Sequence, residues 1–257
     1  MTYEPRSTEE AEFLRNYDAS GYPSIALTSD IATFTIRNGQ LSILLIERAG
    51  HPYKGQWALP GGFVGPDEDA TTAAVRELQE ETALCLDDVY LEQLKTYTTP
   101  DRDPRMRVVS VAFVAVLPDL PNPVGGDDAA QARWFAIEDL ALTQAQQSEN
   151  EGISLAFDHA TIILDALERV RSKFEYTPLA TRFLDNEFTL PDLRRVYETV
   201  WGVSLHPSNF RRKVLTTEGF VVPTQASGPS ATGGRNAALY RAGDADLLHP
   251  AILRSAE

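Results

Sequence analysis

Three features are scarce in this 257-residue sequence: cysteine, long apolar runs and net positive charge. The single cysteine, Cys85, excludes an intramolecular disulfide. No stretch approaches the roughly 18 uncharged apolar residues that span a bilayer, and the first residues, MTYEPRSTEEAEF, contain neither a basic region nor an apolar run. We therefore expect a cytoplasmic protein with no membrane partner.

The acidic residues are concentrated in the first part of the chain. The net charge of −14 argues against nucleic acid as a partner of the whole surface. Residues 1–150 contain 11 Lys and Arg against 24 Asp and Glu, however, whereas residues 151–257 contain 12 against 13. From Arg194 to Arg241 there are seven basic residues and two acidic ones. This local positive excess indicates an anionic partner for the carboxy-terminal part.

The most informative stretch is GGFVGPDEDATTAAVRELQEETAL, residues 61–84. A glycine-rich turn precedes Ala70, Ala74 and Leu78, whose four-residue spacing predicts a helix with one apolar stripe. Glu77, Glu80 and Glu81 stand at i, i+3 and i+4 of that helix and therefore share one face. Each such like-charge pair destabilises a helix by roughly 0.2–0.5 kcal/mol, so something should offset the repulsion.

Two interpretations of the acidic face are open. It could be solvated and partly relieved by Arg76, which is the ordinary role of an acidic triplet. Alternatively it could bind a hard divalent cation, because Mg²⁺ and Mn²⁺ prefer carboxylate oxygens and share their coordination shell with substrate phosphates. The preceding glycine turn and the nearby Glu68 favour the metal interpretation.

These residues resemble the Nudix box, G-x5-E-x7-R-E-U-x-E-E-x-G-U with U aliphatic. Gly62, Glu68 and the run from Arg76 to Leu84 match it, and one position departs, because Ala83 stands where the pattern has glycine. The resemblance implies hydrolysis of a nucleoside diphosphate linked to another group, with Glu68 supporting Arg76 or a further metal. It implicates in catalysis Glu68, Arg76, Glu77, Glu80 and Glu81, of which Glu77, Glu80 and Glu81 would bind Mg²⁺ or Mn²⁺.

Alternating and β-branched segments on both sides of the box predict the strands of an α/β fold, a Nudix α/β/α sandwich with a mixed sheet. Between two of these strands, PDRDPR (100–105) could be a polar loop with internal Asp–Arg pairs, or could direct Arg102 or Arg105 toward phosphate or ribose oxygens. The loop RAGHPYKGQWALPGGFV (48–64) and this segment together resemble the ADP-ribose branch of the Nudix superfamily, which favours the second interpretation. We expect Trp57 to pack against the sheet, with base stacking as the alternative. The predicted ligand-binding residues are Arg48, Lys54, Trp57, Gly62, Arg102 and Arg105.

The carboxy-terminal part predicts a winged helix-turn-helix. Asp158 is a suitable cap for an amphipathic helix, and Thr189 and Gly202 bound a second one. A short basic helix, SNFRRKVLTTEG, and two short strands around a Gly/Ser-rich loop follow. Arg211-Arg212-Lys213 could be a solvated helix face; its place between a capped helix and a wing favours DNA binding. The predicted DNA-binding residues are Ser208, Asn209, Arg211, Arg212, Lys213 and, on the wing, Arg235.

Taken together, residues 22–241 resemble the Nudix-related transcriptional regulators of NAD metabolism (NrtR). We expect a Nudix domain over 1–152, a connecting helix over 153–176 and a winged helix-turn-helix domain over 177–257. The resemblance implies a homodimeric repressor that binds operator DNA and is released from it by ADP-ribose or a related NAD product. The nearly intact Nudix box leaves a second hypothesis, a Mg²⁺-dependent ADP-ribose pyrophosphatase that yields AMP and ribose 5-phosphate.

Overall fold

The computed structural model describes residues 3–82, 90–118, 129–143, 145–146, 152–228 and 237–254. Ala83 and Arg235, which the sequence singles out, lie outside these ranges. Within them no helix is long and apolar enough to cross a membrane. The helices of the described chain are α1 (Thr8–Asn16), α2 (Ala70–Thr82), α3 (His159–Tyr176), α4 (Leu190–Trp201) and α5 (Pro207–Thr216).

A mixed sheet forms the centre of the first part of the chain. Its described strands are β1 (Ala26–Arg37), β2 (Gln40–Arg48), β3 (Trp57–Ala58), β4 (Gly61–Phe63), β5 (Tyr90–Tyr97), β6 (Val108–Val116) and β7 (Ala129–Ala136). The order is β3-β2-β1-β6-β5, while β4 also pairs with β1 and β7 with β2. β1 and β6 are parallel and the other pairs are antiparallel. The apolar, β-branched run Val108–Val116 is therefore a central strand, as its composition predicts.

The β1–β2 hairpin shows how local sequence sets the register. Asn38 and Gly39 both have positive φ, which is the conformation that a two-residue hairpin turn requires and that these residue types adopt most readily. Arg37 consequently pairs with Gln40, and the register places Ile43 opposite Phe34. The turn therefore fixes the register of the β1–β2 pair.

Helices cover both faces of the sheet. On one face Ile31, Leu44 and Phe113 pack against Ala74 and Leu78 of α2. On the other face the alternate residues of the same strands pack against α3, in a cluster that includes Phe34, Ile43, Leu45, Val114, Ile163 and Leu167. The predicted α/β/α sandwich with a mixed sheet is confirmed, and β2 is covered on both faces because its apolar run does not alternate.

The last part of the chain is a small winged helix-turn-helix unit. α4 begins with a capping box, in which the Thr189 hydroxyl accepts from the Asp192 N–H and the Asp192 carboxylate accepts from the Thr189 N–H. It ends at Gly202, whose φ of +71° is left-handed. α5 follows after a short turn, and β9 (Val221–Gly228) and β10 (Ala237–Ala242) form a ribbon that β8 (Phe188–Thr189) joins.

One hydrophobic core runs through both parts. The cluster on the α3 face of the sheet continues into Phe174, Leu193, Tyr197, Phe210 and Val214, so α3 contributes to the sandwich and to the winged helix at once. The amino-terminal residues form α1, none of whose residues is buried. The fold therefore joins its two units through a shared core and a single helix, α3.

Candidate functional site

The candidate site is a cavity of about 640 Å³ at the edge of the sheet. Its lining comes from β1, from the segment between the end of β2 and the end of β4, from α2, from the β5–β6 loop with the first residue of β6, and from the start of α3. Charged lining residues of both signs are Asp30, Arg48, Arg76, Glu77, Glu81, Arg102, Asp103 and Arg105. The cavity thus gathers side chains from five segments that are distant in sequence.

Two of the predicted carboxylates, Glu77 and Glu81, line this cavity. Glu81 is buried, and its Oε2 accepts a hydrogen bond of 2.9 Å from the Gly61 N–H. At Gly62, a Cβ atom would lie 2.3 Å from Oε1 of Glu77. Glycine is therefore needed at position 62 to let the Glu77 carboxylate sit against the backbone.

Arg76 forms the centre of the acidic face. Its guanidinium donates to Glu68 at 2.7 Å, to Glu77 at 2.7 Å and to Glu80 at 2.9 Å. These hydrogen bonds raise the pKa of Arg76 above its usual range and, on the other side, lower the pKa of Glu68. Arg76 therefore compensates much of the negative charge that these carboxylates bring together. Glu68 bonds Arg76, which is one of the two roles predicted for Glu68.

The acidic face has the carboxylate oxygens that a hard cation prefers, but these carboxylates are not arranged as a complete metal site. Within the described residues no group of three or more His, Cys, Asp or Glu side chains is placed to hold a metal ion. The reason is geometric: Glu77 and Glu81 face the cavity, whereas the Glu80 side chain is 57% exposed and bonded to Arg76. Burial raises the pKa of the Glu77 carboxyl in spite of Arg76, so a further cation near Glu77 would be favourable.

Arg102, which lines the cavity, is held by two acidic residues. Its side chain is only 4% exposed and bonds the two carboxylate oxygens of Asp158 at 3.0 and 2.6 Å, with Asp30 at 3.5 Å. Burial opposes the charge, but the Asp158 hydrogen bonds and the Asp30 carboxylate outweigh it and raise the pKa of Arg102. The predicted ligand-binding arginine is thus a buried cation with a bidentate protein partner.

Arg105 and Arg48 give the cavity an incompletely paired positive wall. Arg105 forms an ion pair with Asp103 of its own loop at 2.7 Å, as the first of the two interpretations of this loop predicts. Arg105 also lines the cavity. Arg48 donates to the Pro52 carbonyl and forms no ion pair with any described residue. Burial, together with the neighbouring Arg105 cation, lowers the pKa of Arg48. An anion placed beside Arg48 would relieve both effects.

The cavity also contains residues that sequence reasoning missed. His159, the first residue of α3, is buried, and its Nδ1 accepts a 2.8 Å hydrogen bond from the Leu59 N–H. Its Nε2 lies 3.7 Å from Asp30. Burial is the main cause that lowers the pKa of His159, so the imidazole is neutral at pH 7. No local pattern marks Asp30 or His159, because 129 positions separate them in the numbering of the chain.

The remaining predicted ligand residues lie elsewhere. Trp57 packs edge-to-face on Phe135, with ring centroids 4.5 Å apart, which is the packing that we expect for it. Lys54 is exposed. Neither residue is part of the cavity lining.

A second candidate surface is the outward face of α5. Phe210 and Val214 are buried and attach the helix to the winged-helix core. The predicted DNA-binding residues on the helix are all exposed: Ser208, Asn209, Arg211, Arg212 and Lys213. None of the three cations forms an ion pair with a described residue, so a row of uncompensated positive charge is presented to solvent.

Comparisons with known proteins match both parts of the chain. The NUDIX domain family matches residues 27–155, and the NrtR DNA-binding winged helix domain family matches residues 180–242. The ADPR-responsive transcriptional repressor NtrR of Acinetobacter baylyi is 35% identical over 98% of this chain and 97% of its own.

Two crystal structures of Shewanella oneidensis NrtR are similar to this fold. One is a complex with a 27mer DNA, 31% identical, with a TM-score of 0.67 over 84% of this chain and 93% of that one. The other is the NUDIX domain complexed with ADP-ribose, 34% identical, with a TM-score of 0.54 over 63% of this chain and 98% of that one. With both domains matched in order and a relative aligned over nearly its full length, this chain belongs to the NrtR family of Nudix-related transcriptional regulators.

Proposed function

We propose that the protein is a repressor of NAD metabolism genes that binds operator DNA through α5 and releases it when ADP-ribose, or a related NAD product, occupies the Nudix cavity. The observation that carries this proposal is that an exposed cationic helix face and an arginine-lined cavity belong to two units that share one hydrophobic core. The relatives point the same way, since one is named an ADPR-responsive repressor and others were crystallised with DNA and with ADP-ribose.

The two sites suit their proposed ligands chemically. Arg48, Arg102 and Arg105 offer planar donors that match the oxygens of a pyrophosphate. On α5, Arg211, Arg212 and Lys213 supply cations for phosphates, while Ser208 and Asn209 carry donors and acceptors that can meet base edges. Arg235 would add a phosphate contact from the wing. We propose a homodimer, for which two-fold symmetry predicts a nearly palindromic operator.

The test is capture of genomic DNA. Purified protein is incubated with sheared DNA from its source organism at physiological salt, where non-specific binding is weak, with Kd of about 10⁻⁴–10⁻⁶ M. Parallel samples contain ADP-ribose, Mg²⁺ or both, and the retained fragments are sequenced. We expect enrichment of fragments upstream of NAD metabolism genes and their loss with ADP-ribose. Retention of no specific fragment would overturn the proposal.

The retained acidic face supports a second activity, ADP-ribose pyrophosphatase. Glu77, Glu80 and Glu81 would hold Mg²⁺ or Mn²⁺, with Arg76 and Glu68 as their support. When bound, such ions activate water and neutralise charge on a leaving phosphate. Glu68, Glu80 and Glu81 are each candidates for the base that takes the proton from water, and of these three only Glu81 lines the cavity.

Release of AMP from ADP-ribose tests this activity. Glu80→Gln should abolish Mg²⁺-dependent AMP release while leaving ADP-ribose binding within about twofold, because Glu80 does not line the cavity. Glu12→Gln on the exposed helix α1 is the matched control and should retain wild-type activity. Persistent activity in the Glu80 variant would place the metal site elsewhere.

A further inference from the structure

The start of α3 contacts three separate segments around the cavity. Asp158, the residue before the helix, bonds Arg102 of the β5–β6 loop. His159 accepts from the Leu59 N–H, in the segment between β3 and β4. Phe157 packs under the Arg48 guanidinium at 4.8 Å and has a positive φ of 53°, a conformation that is strained for a phenylalanine. Any ligand that moves these segments must also act on the beginning of α3.

Asp158 is used in an unusual way for a residue at a helix start. Aspartate at this position ordinarily accepts hydrogen bonds from the first N–H groups of the helix. Here the Asp158 side chain makes no such capping bond, and both oxygens are engaged by Arg102 instead. An anionic ligand that accepts hydrogen bonds from Nε or Nη2 of Arg102 competes with Asp158 for the same donors. Once released, the carboxylate is free to cap α3.

The other end of α3 carries the winged helix. The Tyr197 hydroxyl of α4 donates to the Phe174 carbonyl at 3.1 Å, and the Trp201 indole donates to the Arg171 carbonyl at 3.0 Å. Tyr197 also packs on Phe210 of α5, with ring centroids 5.3 Å apart. α3 has 18 residues and is therefore about 27 Å long. α3 and the Tyr197–Phe210 contact therefore form a continuous path from the cavity to the DNA-binding helix.

We propose that Asp158 is the positioning residue that couples the cavity to the winged helix: it holds Arg102 while the cavity lacks ligand, and exchanges that ion pair for capping of α3 when the phosphates of the ligand take Arg102. This inference rests on the proposed repressor function. Asp158 does not have to touch the ligand, since it acts through Arg102 and through the position of α3. The effect that identifies this role is loss of the response of DNA affinity to ADP-ribose in a variant that still binds ADP-ribose.

The experiment compares Asp158→Asn with Asp165→Asn. Asp165 is a matched control because it lies on the same helix, forms an ion pair with Lys95 and accepts from Tyr97, and does not line the cavity. The DNA probe is a fluorescent duplex of a captured genomic fragment, with affinity measured by anisotropy with and without ADP-ribose. ADP-ribose affinity is measured by calorimetry.

In the wild-type protein and in the Asp165 variant, ADP-ribose should weaken DNA affinity by about 5–150-fold, the usual range of such coupling. In the Asp158 variant the DNA affinity should already be low without ADP-ribose and change less than about twofold on its addition. ADP-ribose should bind this variant at least as tightly as wild type. An unchanged response in the Asp158 variant would overturn the inference and leave the repressor function intact, whereas a wild-type protein without a response would overturn the repressor function itself.

Hydrogen exchange on the wild-type protein provides a test that does not depend on a variant folding. ADP-ribose should change the protection of amides in the first turn of α3 and around Tyr197 and Phe210. If exchange changes at the cavity and nowhere in α4 or α5, the coupling does not run through α3 and the inference fails.

Discussion

Substitution of Gly62 should affect activity and ligand binding much more than stability. In Gly62→Ala the new Cβ would meet the end of the Glu77 side chain, 2.3 Å away, and not the backbone. A flexible carboxylate can move aside, so we expect the free energy of unfolding to change by less than about 1 kcal/mol. The displaced Glu77 should nevertheless abolish Mg²⁺-dependent AMP release and weaken ADP-ribose binding.

Gly50→Ala is the control for this substitution. Gly50 also lines the cavity, but a Cβ there would have no atom within 4 Å. Urea unfolding and calorimetric titration with ADP-ribose on both variants would separate the effects. Wild-type binding and activity in the Gly62 variant would show that the Glu77 position is not used.

The buried imidazole of His159 predicts a specific pH dependence of stability. Because the pKa of His159 is lower in the folded than in the unfolded protein, the unfolded protein binds more protons as pH falls below about 6.5. Its contribution to stability is therefore present at neutral pH and is lost in acid, by at most about 1.4 kcal/mol per pH unit. In His159→Asn, whose amide oxygen can still accept from Leu59, the stability should fall less between pH 7 and pH 5.

The comparison of pH slopes tolerates a constant loss of stability in the variant, since only the difference between two pH values is used. His51→Asn is the control, because it makes the same substitution at an exposed histidine. Equal slopes in the His159 variant and the wild type would show that His159 is not buried as a neutral group.

At the residue scale, sequence separation decides what could be predicted. The sequence predicted the acidic face because Glu77, Glu80 and Glu81 are neighbours on one helix, and the glycine turn is close to them in the sequence. The Arg102–Asp158 and Leu59–His159 bonds span 56 and 100 positions, so only the fold could bring them together. The second interpretation of Glu68, as ligand of a further metal, stays a prediction.

At the scale of elements, local cap and turn signals were informative, but the predicted cap Asp158 makes no capping bond to α3, because Arg102 engages its carboxylate. Thr189 and Gly202 bound α4 as predicted, and the Asn38-Gly39 turn fixes the β1–β2 hairpin. α1 was missed although it carries such a signal, since the Ser7 hydroxyl accepts from the Glu10 N–H in an S-x-x-E sequence. β8 was missed because two residues carry no periodicity.

The recognition helix gives the sharpest prediction at this scale. Arg211→Ala with Lys213→Ala removes two exposed cations from α5 without touching the buried Phe210 and Val214. We expect loss of operator binding and, where residual binding is measurable, a salt dependence reduced by about one unit of slope for each phosphate contact removed. ADP-ribose binding should remain unchanged.

The control for this double substitution has to change the net charge equally. Arg6→Ala with Arg15→Ala removes two cations from the exposed amino-terminal segment and should leave operator affinity within about twofold. Anisotropy titrations at several salt concentrations would compare the two variants. Unchanged DNA affinity in the α5 variant would remove the recognition-helix assignment.

At the scale of the whole molecule, the two parts differ in charge but share one hydrophobic core. The charge is divided, with most acidic residues in the first 150 positions and the uncompensated cations on α5. Such a distribution orients the chain toward DNA by one surface only and lets the acidic part repel it elsewhere. The core is not divided, because α3 belongs to both units. The sequence predicted the two domains and a connecting helix, but not that their cores are continuous, since that depends on packing between distant segments.

A shared core predicts that the two units unfold together. Trp201 lies in the winged-helix part and is 5% exposed, whereas Trp57 and Trp134 report on the sheet. In Trp57→Phe/Trp134→Phe, the fluorescence of Trp201 should therefore give the same urea midpoint as far-ultraviolet circular dichroism of the whole chain, and the same coincidence should hold in Trp201→Phe. ADP-ribose at about 100 times its Kd should add roughly 2.7 kcal/mol to the free energy of unfolding seen by Trp201, although it binds at the far end of α3. Separate midpoints would mean that the winged helix unfolds independently, and a helix that joins two independent units could not carry the coupling assigned to α3.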